Sequence, residues 1–160
     1  MTTALVDTSV LSNFAQVGQP SLLQAAFAEV VTTPSVMAER AEGERLGRLP
    51  TVNWAWLPVV ELTPEEATRF AELHQSLGAG EASCLAVAQA RGWMVLTDDR
   101  DARRVAQTRG VAISGTLGAL VNLVDQGTLT LDQADSLLTQ MKQYGYRCPV
   151  VSLRELLGEP

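Results

Sequence analysis

Short, β-branched apolar runs alternate along the chain with longer stretches whose apolar residues recur every three or four positions. The short runs are Ala4–Val6, Val30–Thr32, Val59–Glu61, Met94–Thr97 and Val111–Ile113. Each is mostly apolar, as expected of strands covered on both faces. Strand-length runs alternating with helical patterns predict an α/β fold with a parallel, roughly five-stranded sheet and crossover helices. Helix starts are well marked. Thr63-Pro64-Glu65-Glu66 combines a threonine cap, a proline in the first helical position and a capping-box glutamate. Thr130-Leu131-Asp132-Gln133 and Ser152-Leu153-Arg154-Glu155 repeat the box spacing, and Thr33-Pro34 opens a further helix. In the helix from Leu131, the stripe Leu131, Ala134, Leu137, Leu138 and Met141 predicts core or dimer packing. Gly43 to Pro58, with Trp54 and Trp56, reads as a loop or short helical excursion, and 149–160 as a short packed helix. No repeat, linker or low-complexity tract interrupts the pattern, which predicts one domain over 1–160.

Composition agrees with this picture. A chain of 160 residues, 46% hydrophobic and 19% charged, can bury a full core. The N-terminus lacks a charged region followed by a long apolar stretch, and no apolar run is long enough to span a bilayer. A cytosolic protein, not a membrane one, is expected. The two cysteines, Cys84 and Cys148, have no zinc-site spacing, and Cys84 reads as a small core residue. His74 is the only histidine, so a Ser-His-Asp or Cys-His mechanism would rest on it alone and is rejected.

A net charge of −6 argues against nonspecific, charge-driven binding to nucleic acid. It does not exclude nuclease chemistry, because bound cations locally reverse the sign of an acidic site. Arg91, Arg100, Arg103, Arg104 and Arg109 gather in one short region with Asp98, Asp99 and Asp101. That region is either an ion-paired, solvated helix face or a phosphate-contacting rim, with Arg100, Arg103 and Arg104 as its candidates.

Four acidic residues stand near element boundaries: Asp7 after the first run, Glu39 in the helix from Thr33, Glu81 at a helix start and Asp99 after the fourth run. In an open α/β sheet, sites form outside the carboxyl ends of strands where the strand order reverses. If the first and fourth runs pair, Asp7 and the Asp98-Asp99 dipeptide meet there. A hard divalent cation offsets the repulsion of clustered carboxylates, and near a phosphate it activates water. Each residue also has a plain structural reading. Asp7, Asp98 and Asp99 can be helix caps, Glu81 can serve a helix dipole, and Glu39 can be a solvated helical glutamate. The chemical case rests on the four together.

Several segments taken together resemble the PIN-domain nucleases, which include the VapC-type toxins of prokaryotic toxin–antitoxin pairs. They are Leu5-Val6-Asp7-Thr8-Ser9-Val10-Leu11, the glutamate after Pro34-Ser35-Val36, Gly80-Glu81-Ala82-Ser83-Cys84-Leu85-Ala86-Val87-Ala88, and Leu96-Thr97-Asp98-Asp99-Arg100. Ala102-Arg103-Arg104-Val105-Ala106 and Gly115-Thr116-Leu117-Gly118-Ala119-Leu120 resemble a prokaryotic subgroup of that family, so the likeness runs from Leu5 to about Gly145. The resemblance implies a three-layer α/β/α fold and Mg²⁺- or Mn²⁺-dependent cleavage of single-stranded RNA. It also implies a homodimer and an antitoxin protein as partner. Asp7, Glu39, Glu81 and Asp99 match the family's acidic positions, with Asp7 and Asp99 expected to hold the metal and Glu39 and Glu81 to complete its shell. Thr8, Ser9, Asn13, Thr97 and Asp98 match the supporting polar positions. The third acidic position is often Asp in active members and is Glu81 here.

Two rivals remain. A receiver-like signalling domain also clusters aspartates at strand ends, but it needs a lysine after a later strand, and the only lysine is Lys142 in a C-terminal helix. The stronger rival is a catalytically weak or inactive PIN-like module that binds RNA or protein.

Overall fold

The computed structural model describes residues 2–157, and the prediction for 158–160 lies outside them. Strand β1 (Thr3–Val6) lies between β2 (Glu29–Val31) and β3 (Met94–Leu96), and β4 (Ile113–Ser114) closes the far edge, giving the order β2-β1-β3-β4 with all pairs parallel. From β1 the chain steps first to one side and then crosses to the other. The strand order therefore reverses between β1 and β3, and a crevice opens at their carboxyl ends. Asp7 follows β1 and Thr97-Asp98-Asp99 follow β3, so the predicted juxtaposition is present.

The sheet has four strands among the described residues, one fewer than expected. Val59 pairs with Thr32 in a single parallel bridge, held by the Thr32 amide on the Pro58 carbonyl and the Val60 amide on the Thr32 carbonyl, both at 2.9 Å. Pro58 lacks a donor, Val59 is exposed on the edge, and the capping box at Thr63 opens a helix before a ladder can extend. The last strand lies two residues later than the run at Val111 suggests, because Gly110 in the left-handed region ends the preceding helix and Val111 bonds back to Ala106.

Nine helices flank the sheet among the described residues: α1 (Thr8–Gln16), α2 (Pro20–Ala26), α3 (Pro34–Arg45), α4 (Pro64–Leu73), α5 (Ala79–Arg91), α6 (Arg100–Thr108), α7 (Thr116–Asp125), α8 (Leu131–Gln143) and α9 (Leu153–Leu157). The cap readings hold for α3, α4 and α8, and both reciprocal bonds of the box form at Thr63–Glu66 and Thr130–Gln133. Helix α5 is buried without a break from Ala82 to Ala88, since it packs on β1 and β3 and is covered by α3, α4 and α6. Its alanines, with Ser83 and Cys84, keep those neighbours close. Cys84 is fully buried, as expected, and burial pushes its thiol well above the usual range. Helices α2 and α7 pack on each other and against β2 and β4, with α8 and α9 beyond.

The α8 stripe is largely used inside the chain. Ala134, Leu138 and Met141 are buried, and Leu131 and Leu137 pack against the core. The apolar surplus that suggested a dimer is therefore much reduced. Between α3 and α4 the chain is irregular, anchored by buried Trp54 and Leu57. His74 stacks on Phe70 and bonds the Leu77 carbonyl at 2.9 Å, a structural role at the end of α4.

Candidate functional site

Asp7 lies at the bottom of the crevice, 2% exposed. Its amide continues the β1–β3 ladder to the Leu96 carbonyl at 2.9 Å, and its side chain caps α1, with Oδ1 accepting from the Thr8 amide at 2.7 Å. Oδ2 accepts the Thr97 hydroxyl at 2.9 Å. Burial, and then repulsion from Glu81 and Glu39, raise this carboxyl to about pH 7 against those two hydrogen bonds. Asp7 thus caps α1 and also lies within electrostatic reach of Glu81 and Glu39.

Glu39 reaches the crevice from the second turn of α3. Its Oε2 accepts the Thr8 hydroxyl at 2.8 Å and its Oε1 the Gly80 amide at 2.6 Å. The contact depends on Gly80, because a Cβ there would stand 2.8 Å from Glu39 Oε1. A buried hydroxyl pair brings the two helix starts together: Thr33 Oγ1, the cap of α3, lies 2.6 Å from Ser83 Oγ, which donates to the Gly80 carbonyl. Glu81, in the first turn of α5, closes a capping box by accepting the Gly78 amide at 3.3 Å. Partial burial, then Asp99, with Glu39 and Asp101 adding to it, pushes its carboxyl up. Asp99 caps α6 through Oδ1 on the Ala102 amide at 2.8 Å, and its own amide donates to Thr97 Oγ1. All four predicted acidic residues therefore act on one another at one edge of the sheet. Asp7 is buried; Glu39, Glu81 and Asp99 are half-buried above it.

The supporting polar residues divide into two groups. Thr8 and Thr97 contact the cluster directly. Ser9 and Asn13 serve Asp98 instead: Ser9 Oγ accepts the Asp98 amide at 3.0 Å, and Asn13 Nδ2 donates to Asp98 Oδ2 at 3.1 Å. Asp98 also accepts the Thr116 amide at 3.0 Å and the Thr116 hydroxyl at 2.5 Å. It is a latch joining α1, β3 and α7. The sequence singled out neither Gly80 nor Thr116 for these contacts, although both lie in quoted motifs.

The basic region disperses. Arg91 forks onto buried Glu66 and lies over Trp93, Arg104 pairs with Asp101 at 3.6 Å, and Arg109 donates to Gln89. Arg103, an exposed residue, is tied to the end of β3, its Nε donating to the Thr97 carbonyl at 3.0 Å. Arg100, exposed beside Asp99, forms none of the ion pairs among the described residues. Each helix turns its arginines in different directions, so closeness in sequence does not make one patch.

The chain matches the PIN-domain family DUF3368 over residues 3–159. It belongs to the PIN-domain family. Among solved structures, PAE2754 from Pyrobaculum aerophilum is 24% identical with a TM-score of 0.54, covering 78% of this chain and 91% of its own. VapBC2 from Rickettsia felis, crystallised with a DNA fragment from their promoter, is 12% identical with a TM-score of 0.50, covering 71% and 98%. At these identities the two structures bear on the fold. No curated protein matches the sequence.

A divalent ion suits the PIN crevice in donor chemistry: its ionisable groups are carboxylates, joined by the hydroxyls of Thr8 and Thr97, all hard oxygen donors. It also suits the charge, since Asp7 is buried against like charges. The cage is not preformed. Among the described residues, no three His, Cys, Asp or Glu side chains stand together at ligand spacing. The hydrogen bonds explain why: both Glu39 oxygens, Glu81 Oε2 and Asp99 Oδ1 are turned to protein donors.

Proposed function

We propose that this PIN-domain protein is a Mg²⁺- or Mn²⁺-dependent endoribonuclease acting on single-stranded RNA, and the toxin of a toxin–antitoxin pair. We assign it a single domain over 1–160, a cytoplasmic location and an antitoxin protein as partner. The observation that carries the reading is that four carboxylates lie within electrostatic reach at the switch point of a parallel sheet, one of them buried. The likeness to VapBC2, whose name agrees with the VapC-type resemblance of the sequence, supports the toxin role.

In this reading Asp7 and Asp99 would hold the ion, with Glu39 and Glu81 completing its shell. The ion supplies a Lewis acid that lowers the pKa of water and offsets charge developing on the phosphate. The chain's own residues prepare the site. Thr97 orients Asp7 and, through the Asp99 amide, fixes the start of α6. Thr8 and the Gly80 amide hold Glu39 against the crevice. Glu81, one methylene longer than aspartate, leans in from the first turn of α5 while closing its own cap.

The engagement of the carboxylates by protein donors favours a second reading, an RNA- or protein-binding PIN module that does not cut. The deciding assay is cleavage of single-stranded RNA with and without Mn²⁺, comparing wild type with Asp99→Asn. Asparagine caps helices about as well as aspartate, so the fold is kept while the charge is removed. Cleavage that needs Mn²⁺ and disappears in the variant supports the nuclease. Cleavage that persists in Asp99→Asn, or none in wild type, refutes it.

A further inference from the structure

A cleft of about 690 Å³ opens beside the acidic crevice, within the range of roughly 300–1,000 Å³ that ligand sites occupy. Its walls are the start of α6, the β4–α7 junction and the segment 146–149 that follows α8. Three guanidiniums line it, from Arg100, Arg103 and Arg147, against the single carboxylate of Asp98. Asp98 is already engaged by Thr116 and Asn13. Arg100 and Arg147 form none of the ion pairs among the described residues, on a chain of net charge −6.

The floor is shaped by missing side chains. A Cβ at Gly115 would stand 2.5 Å from both Arg103 Nη2 and Asp98 Oδ1, and one at Gly118 would stand 2.0 Å from Ser114 Oγ. The two glycines thus give room to charged and polar groups of the cleft. Tyr146 supplies an aromatic wall, and burial beside Asp98 and Cys148 keeps its phenol protonated.

We propose that this cleft is a nucleotide subsite for the RNA strand entering the acidic crevice, with Arg100 and Arg147 on a backbone phosphate and Tyr146 stacking a base. The assignment rests on the proposed RNA substrate. Three observations support it: unpaired guanidiniums recognise phosphate, an aromatic ring accepts any base, and the cleft adjoins the crevice. Asp98, in its wall, precedes Asp99. Arg103, also in the wall, is bonded to the Thr97 carbonyl, and the Thr97 hydroxyl touches Asp7.

The test is fluorescence anisotropy of a labelled short single-stranded RNA in EDTA, where binding is read without turnover. Arg147→Ala, at an exposed position, should weaken binding about five- to tenfold and lower the slope of log K against log salt by about 0.7. Tyr146→Ala should weaken it about tenfold, with a smaller change in slope. Unchanged affinity in both variants overturns the subsite. So does normal RNA binding combined with lost binding of an oligoglutamate peptide, which would assign the cleft to an acidic protein segment. The nuclease reading fails separately. A wild type that never cuts RNA, yet binds it through Arg147 and Tyr146, refutes cleavage and upholds the cleft. A wild type that cuts, with affinity and rate independent of both residues, does the reverse.

Discussion

At Asp7, burial and two neighbouring carboxylates act in one direction, and the consequence for stability has a definite sign. The folded carboxyl titrates near pH 7 against 3.8 for an unperturbed aspartate. Between those values the unfolded chain has released the proton that the folded chain keeps. Stability therefore falls as pH rises from about 4 through 7, by about 4 kcal/mol for this group alone. Chemical denaturation of the metal-free protein at pH 5 and pH 8 should show about 2.7 kcal/mol of that loss, the part that falls above pH 5, and Asp7→Asn should remove most of it and be more stable than wild type at pH 8. Equal slopes in the two proteins would mean that the cluster is not strained. Gly80 offers the complementary test. Alanine at this helical position gains up to about 1 kcal/mol of helix propensity, but its Cβ meets the Glu39 carboxylate, a movable side-chain end. Gly80→Ala should fold at least as stably as wild type and bind Mn²⁺ several-fold more weakly by calorimetry. Undiminished Mn²⁺ affinity would remove Glu39 from the metal shell.

Among the elements, those with local signals were legible in the sequence, and those made by pairing at a distance were not. The caps at Thr33, Thr63 and Thr130 fixed their helices, because the bonds that close a helix start lie within three residues. Val59–Glu61 has the composition of a strand, yet only Val59 pairs, because Pro58 and the cap at Thr63 leave no length for a ladder. The acidic residues could be named because strand ends and helix starts mark the switch point. The bond of Arg103 to the Thr97 carbonyl and the approach of Tyr146 and Arg147 to Asp98 could not be named, since both depend on how distant elements pack. Asp98 shows the same limit. It stands in the quoted motif beside Asp99, and only the structure separates the latch from the cluster. Asp98→Ala should leave the Thr116 amide and hydroxyl without their acceptor and cost about 1–3 kcal/mol. Asp99→Asn should leave unfolding free energy within about 0.5 kcal/mol of wild type or raise it. Urea denaturation of both separates the roles, and a stable Asp98→Ala protein would exclude the latch.

For the whole molecule, charge and assembly remain. With the α8 stripe mostly internal, the homodimer that the PIN resemblance implies has left to it a groove of Leu22, Leu129 and Leu137 rimmed by Gln19, Gln133 and Ser136. Sedimentation at micromolar concentration should give twice the 17.2 kDa chain mass, and Leu137→Asp should halve it; a monomeric wild type excludes the dimer. The acidic balance bears on metal more directly. A chain of net charge −6 attracts divalent cations everywhere, so simple stabilisation by Mg²⁺ would not identify a site. A specific site must compete with the proton on Asp7, and that competition gives it a signature. At pH 5 the Asp7 carboxyl is protonated and an ion gains little there; at pH 8 it is ionised and uncompensated. Mn²⁺ at a hundred times its dissociation constant should then stabilise the fold by about 2.7 kcal/mol at pH 8. The same concentration should raise Tm far less at pH 5, and Asp7→Asn should abolish the difference between the two pH values. Diffuse screening of the acidic surface would instead give similar shifts in wild type and variant. That result would exclude a metal site built on Asp7.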